Sequence, residues 1–274
     1  MRILITGAGG RLGRLLRAAR TRDGTGSVQV LFQSRRPGAD LIWSPDMPFD
    51  ALPDCDAVVA LWGVTGGTPE ALSQNSALAE QSIAVAQACK AGTLVHLSSA
   101  AVYGPGVSMN EDTQPTPKTH YGQAKLAMEQ LIAARAVPGV AQIAVRLSNV
   151  VGADSLLPAL QRGQPAMLDR FANGMGPVRS YIGAADVLAV FCALVALPVT
   201  TLPRVMNIAA PQGVGMEDLV RAAGKDIVWR PAPATAIQEV TLDVTCMTRL
   251  LPHTRVRTRA TDLIADWQQL ETDG

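Results

Sequence analysis

The sequence is poor in charge, and the charge it carries is balanced. Only 17% of its 274 residues are Asp, Glu, Lys or Arg, and the formal net charge is +1. No basic surplus is available for nucleic acid or an anionic membrane surface. Cysteine is scarce as well. Cys55, Cys89, Cys192 and Cys246 lie far apart and form no Cys-x-x-Cys pair. That pattern suits buried small hydrophobes in a reducing compartment. His96, His120 and His253 are the only histidines and show no metal-ligand spacing, so no metal is expected. No long apolar run is present either. VLAVFCALVALP, from Val187, falls well short of the ~20 residues that span a bilayer and reads as a buried helix. At the N-terminus one Arg precedes a short apolar run that stops at glycines, which is not a signal peptide. Internal repeats and low-complexity linkers are absent. A soluble, cytoplasmic protein is expected.

What is there is a large apolar share, 48%, enough for one sizeable α/β domain or a domain with a small appended lobe. Arg2 to Thr6 is a short apolar run, hence a buried strand. A helical pattern follows from Arg11, with Leu12, Leu15, Leu16 and Ala19 on one face. Strands are predicted at Val28–Phe32, Leu41–Trp43, from Asp56 (DAVVALWG), from Thr93 (TLVHLSS) and from Ala141 (AQIAVRLSNVVG). Thr68-Pro69 opens an Ala-rich helix reaching to about Ala91, since Thr caps well and Pro suits the first helical position. A second helix runs from Tyr121 to about Arg135. Strands alternating with helices, most of them apolar on both faces, predict a Rossmann-type doubly wound parallel sheet.

After Gly152 prolines and glycines become frequent and the strand-like pieces shorten. Residues 1–152 are therefore expected to form a dinucleotide-binding domain. Residues 153–274 are expected to form a smaller, partly interleaved substrate lobe, with 205–210 (VMNIAA) returning to the sheet. MEDLVRAAG, from Met216, and the stretch near Thr261 to Leu270 read as helices of the lobe.

Two motifs carry chemistry. Gly7, Gly10 and Gly13 stand at the first strand–helix junction. There they permit a tight turn and let a pyrophosphate approach the free N–H groups of the helix N-terminus. Arg11 and Leu12 belong to the same loop. At the end of the second strand a carboxylate would favour NAD by binding the ribose hydroxyls. The chain instead reads Gln33-Ser34-Arg35-Arg36. Ser34 and the two guanidinium groups suit a 2′-phosphate, so NADP is expected over NAD, with Arg11 adding to the patch. The plainer reading of Arg35 and Arg36 is a solvated turn.

The second motif is Tyr121 with Lys125, one helical turn apart on one face. A nearby ammonium lowers a tyrosine pKa, which allows proton exchange with a substrate oxygen while hydride moves to or from nicotinamide. LSSAAVYG supplies Ser98 and Ser99 at a strand end, where ligands bind in open α/β sheets.

With TGAGGRLG, ALWGVTGG, HLSSAAVYG, YGQAKLAME, RLSNVVG and GPVRSYIGAADV in this order, the sequence resembles the extended short-chain dehydrogenases/reductases, the NAD(P)-dependent epimerase/dehydratase group. The resemblance covers most of the chain to about residue 210. It implies a catalytic triad of Ser99, Tyr121 and Lys125. Ser99 is preferred to Ser98 because it stands four before Tyr103. Leu61, Trp62 and Gly63 are implied to line the cofactor, Lys125 to bind the nicotinamide ribose, and Asn75 to match an Asn of the long helix. Asn149 is implied to contact substrate, and Arg179 to hold a sugar-nucleotide diphosphate. The plainer readings are a turn residue for Asn149 and an ion pair with Asp186 for Arg179. Ala100-Ala101 replaces the Asp-Glu of sugar dehydratases, which disfavours elimination. Gly183-Ala184 replaces a usual His-Val, Gln123 stands where a Ser is usual, and the lobe is short. The resemblance also implies a homodimer built on the helices after Thr68 and at Tyr121. The leading expectation is an NADP-dependent oxidoreductase acting on a carbonyl or secondary alcohol. The alternatives are a sugar-nucleotide epimerase with tightly held cofactor and a non-catalytic NADP-sensing protein.

Overall fold

A computed structural model describes residues 1–272. Six strands of the first half form a parallel sheet: β1 (Arg2–Thr6), β2 (Gln29–Ser34), β3 (Leu41–Ile42), β4 (Ala57–Ala60), β5 (Thr93–Ser99) and β6 (Ala141–Leu147). They take the order β6-β5-β4-β1-β2-β3, and Val205–Ile208 adds a seventh strand beside β6. The chain leaves β1 toward β2 and β3, then returns to place β4 on the other side of β1. This reversal opens a crevice at the carboxyl ends of β1 and β4, the usual ligand position in such sheets.

The strands read as unbroken apolar runs because both faces are covered. Ile3, Ile5, Ala57 and Val59 pack toward α1 (Arg11–Asp23), while Leu4, Val58 and Ala60 pack toward α2 (Pro69–Ala88). Successive side chains point to opposite faces, so each strand needs apolar residues throughout. The helix α3 (His120–Ala134) lies beside α2.

The second half contains β7 (Asn149–Val150), α4 (Leu156–Gln161), β8 (Ala166–Arg170), β9 (Val178–Ile182) and α5 (Ala184–Val195). It continues with β10 (the Val205–Ile208 strand), β11 (Gly213–Gly215), α6 (Met216–Ala222), β12 (Ile227–Pro231), β13 (Glu239–Val240), α7 (Thr245–Leu250) and α8 (Ala260–Thr272). Within it β9 pairs with β7, β11 and β13, and β8 pairs with β12. The helix α5 packs on α1, so the apolar run from Val187 is a buried helix of the main layer.

The segment from Ala141 is not one strand. β6 ends at Leu147, Ser148 donates its N–H to Ile208 at 3.0 Å, and Asn149–Val150 leave the sheet to pair with Tyr181–Ile182. The helix α2 also stops short of Ala91. Lys90 takes a φ of 54°, and the N–H groups of Lys90 and Ala91 turn back to the carbonyls of Gln87 and Ala86. This is a Schellman closure with lysine in the left-handed position. Among the described residues, no helix is long and apolar enough to cross a membrane, and no cluster of three metal-ligating side chains occurs.

Candidate active site

The crevice is a cleft of about 750 Å³. Its floor is the loop between β1 and α1. Gly7 has a φ of 73°, and a Cβ there would lie 2.7 Å from the backbone N of Trp62, so no larger residue fits this approach of two loops. Gly10 precedes α1 without a side-chain cap, which leaves the first-turn N–H groups available to an anion beside Gly7, Gly9 and Gly10. Gly13 lies inside α1, where a Cβ would fall 2.5 Å from the Cα of Ala8, and its absence seats the helix against the loop. The sequence reading missed Gln33 as part of this cradle. Its buried Oε1 accepts the Gly7 N–H at 3.1 Å, and its amide donates to the Trp43 carbonyl.

Ser34, Arg35 and Arg36 line the end of the cleft. The Ser34 Oγ accepts the Arg36 N–H at 3.1 Å and shapes the turn. No Asp or Glu lines this cleft. The nearest downstream acid, Asp40, accepts the Phe32 N–H at 2.8 Å and pairs with Arg20. Arg11 does not join the arginine patch as expected. Its guanidinium donates to the Asp154 carbonyl at 2.7 Å, because the loop after β7 offers an acceptor on the other side. Leu12 packs half-buried against the main core.

The opposite wall comes from Leu61, Trp62 and Gly63, after β4, and from Gln74, Ala77, Leu78 and Gln81 of α2. Trp62 is fixed by a 2.6 Å hydrogen bond from its indole N–H to Ser82. Asn75, fully buried, donates to the carbonyls of Val64 (2.9 Å) and Leu72 (2.8 Å) and accepts the Val64 N–H at 3.2 Å. It thereby locks the loop that follows Gly63.

Ser99 and Tyr121 come together at the carboxyl end of β5. The Thr119 Oγ1 caps α3 by accepting the Gly122 N–H at 3.1 Å, which places Tyr121 in the first turn. The Ser99 Oγ accepts the Ala101 N–H at 3.2 Å. Burial pushes the Tyr121 phenol above its ordinary pKa, and the Ser99 hydroxyl beside it acts in the opposite direction. The Lys125 ammonium is buried, donates to the Leu97 carbonyl at 2.8 Å and lies 6.0 Å from the centre of the Tyr121 ring. Burial brings Lys125 down to about 8, against the pull of Glu129. The expected lowering of the Tyr121 pKa by the ammonium is not what the fold produces, since burial of the phenol dominates. A Cβ on Gly63 would lie 3.2 Å from the Lys125 Nζ and 3.1 Å from the Asn75 Oδ1. Gly63, a residue of the cleft wall, is thus packed against Lys125, while Ser99, Tyr121 and Lys125 are not among the residues that line the cleft.

Ser98 has a different partner. Its hydroxyl donates to the buried Glu129 carboxylate, which also receives Nε (3.1 Å) and Nη2 (2.8 Å) of Arg146. The Arg146 guanidinium lies 4.6 Å from the centre of the Tyr103 ring, and the Tyr103 hydroxyl donates to Asn207 at 2.8 Å. This network joins α3 to β5, β6 and β10. The sequence reading passed over both Glu129 and Arg146.

The two substrate candidates stand apart from that network. Asn149 is exposed, and its amide donates to the Ser180 carbonyl at 3.2 Å, tying β7 to β9. The Arg179 guanidinium donates to the carbonyls of Val178 (2.7 Å), Gln238 (2.9 Å) and Ile237 (2.9 Å). Its alternative partner, Asp186, pairs with Arg257 instead.

The model of the NAD dependent epimerase/dehydratase family matches residues 3–209. No curated protein matches the sequence. Among solved structures, a UDP-glucose-4-epimerase from Stenotrophomonas maltophila with bound NAD and formylated UDP-arabinopyranose is 20% identical. It has a TM-score of 0.80, over 99% of this chain and 98% of that one. A UDP-glucuronic acid 4-epimerase from Bacillus cereus, in complex with UDP-glucuronic acid and NAD, is 18% identical with a TM-score of 0.78, over 99% of both chains. MoeE5 in complex with UDP-glucuronic acid and NAD is 22% identical with a TM-score of 0.75, over 99% of this chain and 98% of that one. At these identities the likeness is one of fold.

Proposed function

The chain belongs to the NAD-dependent epimerase/dehydratase family, and from that premise we propose that it is an NADP-preferring oxidoreductase acting on a carbonyl or secondary alcohol through Ser99, Tyr121 and Lys125. The observation that carries this reading is the place of Gly63: it lines the acid-free cleft, and a Cβ on it would lie 3.2 Å from the Lys125 Nζ. The cradle fits a pyrophosphate: Gly7 and Gly13 have no room for a Cβ, and the α1 N–H groups face an acid-free cleft. In this reading residues 1–152 hold the cofactor and 153–274 shape the substrate site.

A bound nicotinamide supplies or accepts the hydride. The residues of this chain handle the proton and the orientation. Ser99 holds the substrate oxygen by a hydrogen bond. Tyr121 gives its phenolic proton to that oxygen in reduction and takes it back in oxidation. A phenol held above its usual pKa stays protonated at neutral pH, which suits Tyr121 to the acid role. Lys125, largely charged at pH 7 with a pKa of about 8, stabilises the phenolate that forms and reaches toward the nicotinamide ribose. Arg35 and Arg36 clamp the 2′-phosphate, with Ser34 between strand and turn.

The second reading is a sugar-nucleotide epimerase that retains its cofactor. The observation in its favour is the fold shared end to end with epimerases solved with UDP-sugars and NAD. In that reading Arg179 holds a diphosphate and Asn149 the sugar. Mass spectrometry of nucleotide released from denatured, undialysed protein separates the two: near-stoichiometric dinucleotide favours the epimerase, none favours the exchanging reductase. The side-by-side helices α2 and α3 are also assigned here to a homodimer interface. A monomer volume in gel filtration over a wide concentration range would refute that part.

Tyr121→Phe tests the catalytic assignment. Turnover is expected to fall by about 10²–10⁴, the worth of a general acid, while NADPH binding is retained. Unchanged turnover in this variant would remove Tyr121 from the mechanism.

A further inference from the structure

At the amino edge of the sheet, opposite the cofactor cleft, the fold brings together two cysteines that are far apart in sequence. The Cys55 N–H donates to the Cys89 carbonyl at 2.8 Å, and the Gly92 N–H donates to the Asp56 carbonyl at 3.0 Å. The chain entering β4 is thus tied to the turn that closes α2. A single main-chain bond of this kind keeps the two Cα atoms near the ~4.4–6.8 Å that a disulfide spans. Both side chains are buried, and both line a surface cleft of about 620 Å³ flanked by Arg2, Asp54 and Lys90. The Cys55 Sγ donates to the Pro53 carbonyl at 3.3 Å, and the two free thiols lie beside each other. That contact holds Cys55 below the ordinary thiol pKa against the effect of burial, and the same contact, joined by burial, pushes Cys89 up. The remaining cysteines lack such a neighbour, and burial pushes the Cys192 thiol up to about 11 and raises Cys246 as well.

We propose that Cys55 and Cys89 are a redox pair that closes to a reversible intrachain disulfide when a small hydroperoxide enters this cleft. Cys55, as thiolate, attacks the peroxide oxygen. The O–O bond breaks, hydroxide leaves, and Cys55 becomes a sulfenic acid. The Cys89 sulfur then attacks the Cys55 sulfur. The S–S bond forms, the S–O bond breaks, and the hydroxyl departs as water with the Cys89 proton. In sum two thiols and one hydrogen peroxide give one disulfide and two waters, with two electrons passing from sulfur to oxygen. A dithiol reductant reverses the change by exchange.

The bridge would join the chain just before β4 to the closing turn of α2. Between those points lie Leu61, Trp62, Gly63, Gln74 and Gln81, the wall of the cofactor cleft. Oxidation would therefore staple that wall at its far end and constrain the unfolded chain.

The test treats the whole folded protein with hydrogen peroxide near stoichiometry, then digests it without reduction. The expected result is a chain lighter by two hydrogens, a peptide linking Cys55 to Cys89, and a melting temperature higher by several degrees that returns on adding dithiothreitol. Cys55→Ser should show none of these changes. Because a serine there could perturb the core, mapping of the wild-type chain decides by itself. Free thiols or sulfinic acids at both positions after treatment, or links between chains only, would overturn the proposal.

Discussion

Lys125 and Gly63 pack together beside the glycine-lined cleft: the ammonium lies 3.2 Å from the point a Cβ on Gly63 would occupy. The two residues come from different elements, the loop after β4 and the middle of α3. Their approach is possible because position 63 has no side chain. It sets a residue of the cleft wall against the lysine of the proposed Ser99–Tyr121–Lys125 site.

Gly63→Ala should therefore damage function more than folding. The added methyl would press on Lys125 and Asn75, which must give way by a few tenths of an ångström. The ratio kcat/KM is expected to fall by about tenfold or more, corresponding to ~1.4 kcal/mol, while the melting temperature moves by only a few degrees. Wild-type kinetics in this variant would mean that Lys125 does not stand at the cofactor.

Arg35→Ala and Arg36→Ala probe cofactor choice. Together they remove charged donors worth roughly 1.5–3 kcal/mol to a phosphate. The Kd for NADPH should rise by about 10–100-fold in the double variant, with a much smaller change for NADH. Equal losses for both cofactors would refute a 2′-phosphate clamp.

Burial of Lys125 links stability to pH. Its folded pKa, about 8, lies below the ordinary 10.5, so the folded state releases this proton before the unfolded state does. The charged lysine is a cost at and below pH 8. That cost is relieved as pH rises from about 8 toward 10.5, because there the unfolded chain binds more protons. Urea denaturation of wild type and Lys125→Met at pH 7.5 and 9.5 isolates the effect. The wild type should gain on the variant by roughly 2 kcal/mol as pH rises, since each pKa unit is worth about 1.4 kcal/mol. A constant difference would contradict it.

Much of the framework was legible in local patterns. Unbroken apolar runs marked β1, β4 and β5, and a Thr-Pro pair marked the start of α2, because burial on both sheet faces and capping act over a few residues. The glycine loop and the Tyr121–Lys125 spacing were legible for the same reason. What escaped was long-range. Gln33 serves the cradle through a side chain that crosses from β2 to β1. Arg11 turns to Asp154, a partner that only folding supplies. Ser98 and Ser99 alternate across the pleat, so one faces Glu129 and the other Tyr121. The break after Leu147 is set by competition between Ile208 and β9 for the same backbone. Cys55 and Cys89 meet only because β4 and the end of α2 share an edge.

The most direct test of the central claim is a calorimetric titration of the purified, nucleotide-free protein with NADPH and with NADH. A dinucleotide site in the cleft predicts one saturable site per chain for NADPH, at least about tenfold tighter than for NADH, a difference of ~1.4 kcal/mol. Absence of binding by either cofactor would contradict the account.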